Sequence, residues 1–160
     1  MNVSRRVLLS LVAMLFAVSP FALIAADSGD AKWTEDFKAA VAASKKTGKP
    51  IMIDFTGSDW CPPCMSQHKE IFGSEQWQKW AADNVILVTA DYPRKAQNAA
   101  VKKQNEELKK TYKPEGFPTI IFIDAKGTEL GRWAGYGPGT GAEKWIAKAD
   151  PIVAKAKKAE

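Results

Sequence analysis

From Trp33 onward, apolar residues recur either three to four positions apart or in short unbroken runs, and this alternation predicts helices interleaved with buried strands. Trp33 and Thr34 have the pairing of a hydrophobic staple and an N-cap, opening a helix through Glu35 and Asp36 that turns Phe37, Ala40 and Val41 inward. Gly48 stops it, and Pro50 leads into Ile51-Met52-Ile53-Asp54-Phe55, apolar on both faces except for Asp54, as in a buried strand of a parallel or mixed sheet. Thr56 to Trp60 is a loop. Pro62 suits the first turn of a helix, where its missing N–H has no partner to lose, so the next helix runs from Cys61 to about Phe72.

Gly73 interrupts, and Ser74 caps a helix with Trp77, Trp80 and Ala81 on its inner side. Val85-Ile86-Leu87-Val88 is the second strand, and Lys95 to Tyr112 carries the thin apolar stripe of a mostly exposed helix, Ala100, Val101, Leu108 and Tyr112. Thr119 to Ile123 and Thr128 to Ala134 form a hairpin about the turn Asp124-Ala125-Lys126-Gly127. After a Gly/Pro segment, a last helix holds Trp145 and Ile146; Pro151 is expected to kink or end it, leaving Val153 to Glu160 as a lysine-rich tail. The expected architecture is a single α/β domain with a central mixed sheet of four to five strands flanked by helices.

The first 26 residues follow a different pattern. Arg5 and Arg6 precede a nearly unbroken apolar run from Val7 to Ala26, broken late by Ser19 and Pro20 and followed by polar Asp27-Ser28-Gly29-Asp30. This is the layout of a secretory signal, residues 1–26, cleaved after Ala26 to release an exported, periplasmic domain, residues 27–160. An uncleaved anchor is the alternative, since about 20 apolar residues suffice to span a bilayer.

Composition changes this picture little: 46% apolar and 26% charged residues are ordinary for one globular domain. Without Arg5 and Arg6, 21 basic residues face 18 acidic ones, and the lysines are spread over several segments, so nothing calls for a nucleic acid. The cysteines change it more. There are two, Cys61 and Cys64, and a bridge between them closes almost no loop and removes little unfolded-state entropy. Redox chemistry is the better reading of such a pair in an exported domain.

Exchange between thiols and disulfides requires a thiolate, which unpaired N–H groups and the helix macrodipole stabilise at a helix N-terminus. Cys61 is therefore the attacking sulfur, and Cys64, one turn further in, resolves the mixed disulfide. Pro62 and Pro63 offer no N–H and no histidine lies between the cysteines, which biases the pair toward reducing or intermediate behaviour. Asp54 costs several kcal/mol in an apolar strand unless paired or protonated. A place near the cysteines would make it the acceptor of the Cys64 proton; otherwise it caps a strand end locally.

Ile53-Asp54-Phe55, Asp59-Trp60-Cys61-Pro62-Pro63-Cys64, Gly116-Phe117-Pro118-Thr119 and Ala134-Gly135-Tyr136 resemble the thioredoxin superfamily in order and approximate spacing, over about residues 33 to 150. The resemblance implies the thioredoxin fold and thiol:disulfide exchange with exported proteins. It makes Pro118 a cis-proline beside the sulfurs, Phe117 a backbone partner for an extended substrate, and Trp60 and Gly135 further substrate-side positions. It further implies a monomer without cofactor beyond the dithiol, acting on protein thiols and disulfides and re-reduced by a membrane or thioredoxin-like electron donor. The rivals are an oxidase or isomerase of secreted proteins and a non-catalytic binding or metal-carrier module.

Three features depart from the simplest thioredoxins: a loop from Asp54 to Cys61 one residue longer, a much longer helical insertion between Asp91 and Tyr112, and no lysine in Val85 to Val88 near the buried Asp. His68, the sole histidine, falls four residues after Cys64; two Cys and one His are one ligand short of a closed zinc site, so His68 is expected at the surface or partly buried and no metal is expected. Met65, not His, follows Cys64, which excludes covalent haem attachment.

Overall fold

The computed structural model describes residues 31–156; the expected signal segment and the last four residues lie outside them. Five strands form one mixed sheet in the order β1-β3-β2-β4-β5: β1 (Trp33–Thr34), β2 (Ile51–Thr56), β3 (Ile86–Asp91), β4 (Thr119–Ile123) and β5 (Glu129–Ala134). β2 is central, parallel to β3 and antiparallel to β4, and every residue in it is buried, which is why its sequence is apolar on both faces. This is the expected thioredoxin fold, with the sheet at five strands.

The period-2 alternation of β2 and β3 divides the core. Ile51, Ile53, Phe55, Val88 and Ala90 pack with Ala40 of α1 (Phe37–Thr47) and Leu108 of α4 (Ala99–Tyr112). Met52, Leu87, Ile120 and Phe122 face the other way, against the π-helical turn (His68–Phe72) that continues α2 (Pro62–Gln67), and against α3 (Glu75–Asn84) and α5 (Ala142–Ala156). Asp54 and Thr56 share a face of β2 with Met52, so the strand directs them beneath α2.

Three boundaries differ from expectation. Trp33 and Thr34 do not open the first helix: they form β1, paired with Leu87 and Val88, and the N-cap is Asp36, whose side chain accepts from Ala39 N–H. Thr34 was a competent cap, but strand pairing gave its backbone a tertiary partner. The inserted helix begins at Ala99, with the Asn98 side chain capping it, because Asp91 to Lys95 is committed to contacts with the cysteine loop. Pro151 does not end the last helix, which continues to Ala156 with Val153 and Ala156 buried. Packing of that face outweighs the hydrogen bond the proline removes. Gly48 does end α1, in the left-handed region at φ 70°, its N–H donating to Ser44 C=O.

Candidate active site

Cys61 ends the loop after β2 and caps α2, with Pro62 and Pro63 in the first turn. Its N–H donates to Gly57 C=O at 2.9 Å and its C=O accepts from Met65 N–H. Neither proline has an N–H, so the first amide that the helix can present to the Cys61 sulfur is that of Cys64. The two cysteines are joined as a disulfide, and Cys61 is only 3% exposed.

The loop that delivers Cys61 is fixed from the end of β3 and the segment after it, where Asp91, Tyr92, Arg94 and Lys95 carried no signal in the sequence. Asp91, at the end of β3, accepts from the Ser58 backbone N–H and hydroxyl, and Asp59 accepts from the N–H groups of Arg94 and Lys95. The Arg94 N–H holds the exposed Asp59 carboxyl below its ordinary range. Trp60 donates from its indole N–H to Tyr92 C=O at 2.8 Å and lies against Gly57, where an added Cβ would come within 2.5 Å of the indole. Glycine at 57 is the condition for Trp60 to lie there.

The far end of this loop is anchored by the inserted helix. Asn105, buried among the apolar stripe of α4, donates from its side chain to Asp91 C=O, and Tyr92 OH donates to Asn105 C=O. A polar residue at the stripe position between Val101 and Leu108 was the available signal. Tyr92 then stacks on Phe117, which meets Trp60 edge-on, and Lys109 and Arg94 lie over the rings of Tyr92 and Trp60. The result is an aromatic wall with a cationic rim.

Phe117–Pro118 is a cis peptide bond, and Pro118 C=O accepts from Gly135 N–H at 2.8 Å. Gly135 takes φ 77° and is exposed. Thus the structure places Trp60 against Phe117, and Pro118 against Gly135, at the ends of β4 and β5. Met65, 46% exposed and next to Cys64, is the exposed large hydrophobic residue among those described. In the sequence its place after Cys64 speaks only against covalent haem attachment.

Asp54 is fully buried, and burial pushes its carboxyl above the ordinary carboxylate range; the hydrogen bond and charge of His68 act in the opposite sense, and Asp91 adds to the rise. His68 Nε2 lies 2.8 Å from Asp54 Oδ2, and Oδ1 has no hydrogen-bond partner. The imidazole has the partial burial expected of it, with 40% of its side chain exposed; its pairing with the buried acid is the part that was not expected. The signal for this pairing lies in two features of the sequence: an acid without an evident partner in a central strand and a lone histidine one turn beyond the second cysteine.

A family model described as a thioredoxin-like domain matches residues 37–150. Disulfide bond reductase DsbH of Chlamydia pneumoniae is 40% identical over 109 residues, 68% of this chain and 65% of that protein. Thioredoxin-related protein DsbJ of the same organism is 29% identical over 136 residues, 82% of this chain and 39% of that protein. The chain thus spans less than two thirds of the length of either relative. A solved structure of DsbH oxidoreductase superposes with a TM-score of 0.73 at 34% identity, covering 79% of this chain and 86% of that one.

Proposed function

Since the chain belongs to the thioredoxin-like domain family, we propose that it is a thiol:disulfide oxidoreductase, running chiefly as a reductase of disulfides in exported proteins. The observation that carries the reading is the Cys61–Cys64 pair at the N-terminus of α2, in a chain whose cis Phe117–Pro118 bond opens β4. The likeness to a protein named a disulfide bond reductase favours the reducing direction. So does the pair of prolines, which withholds two N–H groups from the Cys61 thiolate.

In the reduced protein, the Cys61 thiolate attacks a substrate disulfide, one substrate sulfur leaves as a thiolate, and Cys61 is joined to the other. Cys64, having lost its proton to Asp54, attacks Cys61, re-forms the internal disulfide and releases the second substrate sulfur. Substrate lies in extended form along the Phe117 backbone and Gly135, bounded by Trp60 and Met65. Two electrons from a membrane or thioredoxin-like donor restore the dithiol. The first 26 residues direct export to the periplasm; no helix among the described residues is long and apolar enough to cross a membrane.

The test is the equilibrium reduction potential of the pair in dithiothreitol or glutathione buffers, with insulin reduction assayed alongside. A potential near about −270 mV, with turnover abolished in Cys61→Ser, is the expected result. A value near about −120 mV would reverse the direction to oxidase, and a pair that does not cycle would leave a binding module.

A further inference from the structure

His68, whose Nε2 holds the buried Asp54 at 2.8 Å, stands on the wall of a cleft beside the second cysteine. The cleft, about 470 Å³, is lined by Thr56, Ser58, Cys64, Met65, His68, Lys69 and Thr89. Thr56 follows Asp54 on the same face of β2, and Thr89 is the cross-strand partner of Asp54 on β3. His68 therefore touches both the dry carboxylate and the cleft: Nε2 is on Asp54, and the side chain lines the cleft and is 40% exposed. Its ring is held between Trp33 of β1 and Phe72 of the π-helical turn, with centroids 5.7 and 4.9 Å away.

We propose that His68 is the proton exchanger of Asp54: when Oδ1 of the acid takes the Cys64 thiol proton, the imidazole releases one from Nδ1 to water in the cleft. The inference rests on the oxidoreductase reading. In the resolving step the Cys64 S–H bond breaks and an Oδ1–H bond forms. The Cys64 thiolate bonds to Cys61, the bond from Cys61 to the substrate sulfur breaks, and that sulfur leaves with the electron pair. His68 keeps its Nε2–H donated to Oδ2 and loses the Nδ1 proton, so the pair is neutral before and after. When the donor reduces the disulfide, Cys64 regains its proton from Oδ1 and His68 takes one from water.

A carboxylate protonated without this compensation would leave an unmatched imidazolium against it, and one ionised without it would be a lone charge in a dry site. The other charged groups of the surroundings are already engaged or lie outward. Asp91, from β3, is held by Ser58; Glu70, beside His68, accepts from Tyr136 OH and Gly139 N–H; Lys69 is exposed on the cleft wall, and β1 brings only the Trp33 ring.

The experiment follows both steps in one trace. Reduced protein mixed with excess 5,5′-dithiobis(2-nitrobenzoate) releases one thionitrobenzoate when Cys61 attacks and a second when Cys64 resolves. In His68→Gln, which keeps a hydrogen-bond donor but cannot titrate, the second phase slows about tenfold relative to the first near pH 7, and its pH profile moves upward. A wild type that releases both equivalents beside a variant with an unchanged second phase overturns the exchanger alone, whereas a wild type that releases none overturns the oxidoreductase reading beneath it. The chain has one histidine, so a single imidazole signal can be followed by NMR in the wild type whatever the variant's folding. The pH course of that signal should differ between oxidised and reduced protein, and identical courses would sink the proposal.

Discussion

At the scale of single residues, Asp54 is where stability and chemistry conflict. Burial raises its carboxyl above the ordinary value of 3.8, so the folded chain holds that proton more tightly than the unfolded one. Stability contributed by the protonated acid is present at low pH and declines as pH rises through the folded value. Asp54→Asn, which cannot ionise, should therefore unfold at higher urea than the wild type at pH 8, with the difference closing as pH falls below the ordinary carboxyl value of 3.8. A wild type more stable than the variant at pH 8 would mean that His68 over-compensates the burial. The sequence made Asp54 conspicuous because one acid stood in a run of apolar residues. It did not show that His68 reaches that acid, because the two are fourteen positions apart and meet only when α2 and its π-helical extension lie over β2.

At the scale of elements, α4 is the part least legible beforehand. Its polar surface predicted a solvated helix, and most of it is one, yet Asn105 and Tyr92 make it the buttress of the loop that presents Trp60 and Cys61. Those bonds join segments through backbone carbonyls, which no residue pattern advertises. Asn105→Leu would take one side-chain donor from the half-buried Asp91 carbonyl, which also accepts from Gln97, at a cost of about 1–3 kcal/mol in urea unfolding, and should loosen amide protection across residues 91–98 in hydrogen exchange. Unchanged protection there would detach the helix from the loop. The strands were the easier elements: Thr119 to Ile123 falls on the expected residues, since continuous apolar runs bounded by turns have few alternatives.

At the scale of the whole molecule, the two faces of one sheet carry unequal loads. The face under α3 and α5 is built largely of rings, with Trp77 wholly buried among Trp33, Phe72 and Trp145. Trp77→Ala should lower unfolding free energy by about 3–5 kcal/mol in urea, a large share of what a domain this size has. A loss below about 1 kcal/mol would place the weight of the core on the opposite face. The fold class was readable because strand runs and helix periods alternate in one order, while the extra edge strand β1 was not, two residues being too short for any period to show. The aromatic seam has one more consequence. It runs from His68 through Trp33, Phe72, Trp77 and Trp145 to Trp133, whose ring lies under the Lys148 ammonium. The indoles among them, close and held at fixed angles, couple their electronic transitions, and a change of charge on the imidazole shifts those of the adjoining Trp33, so the near-ultraviolet circular dichroism of the protein should report the state of His68 through rings already in the chain.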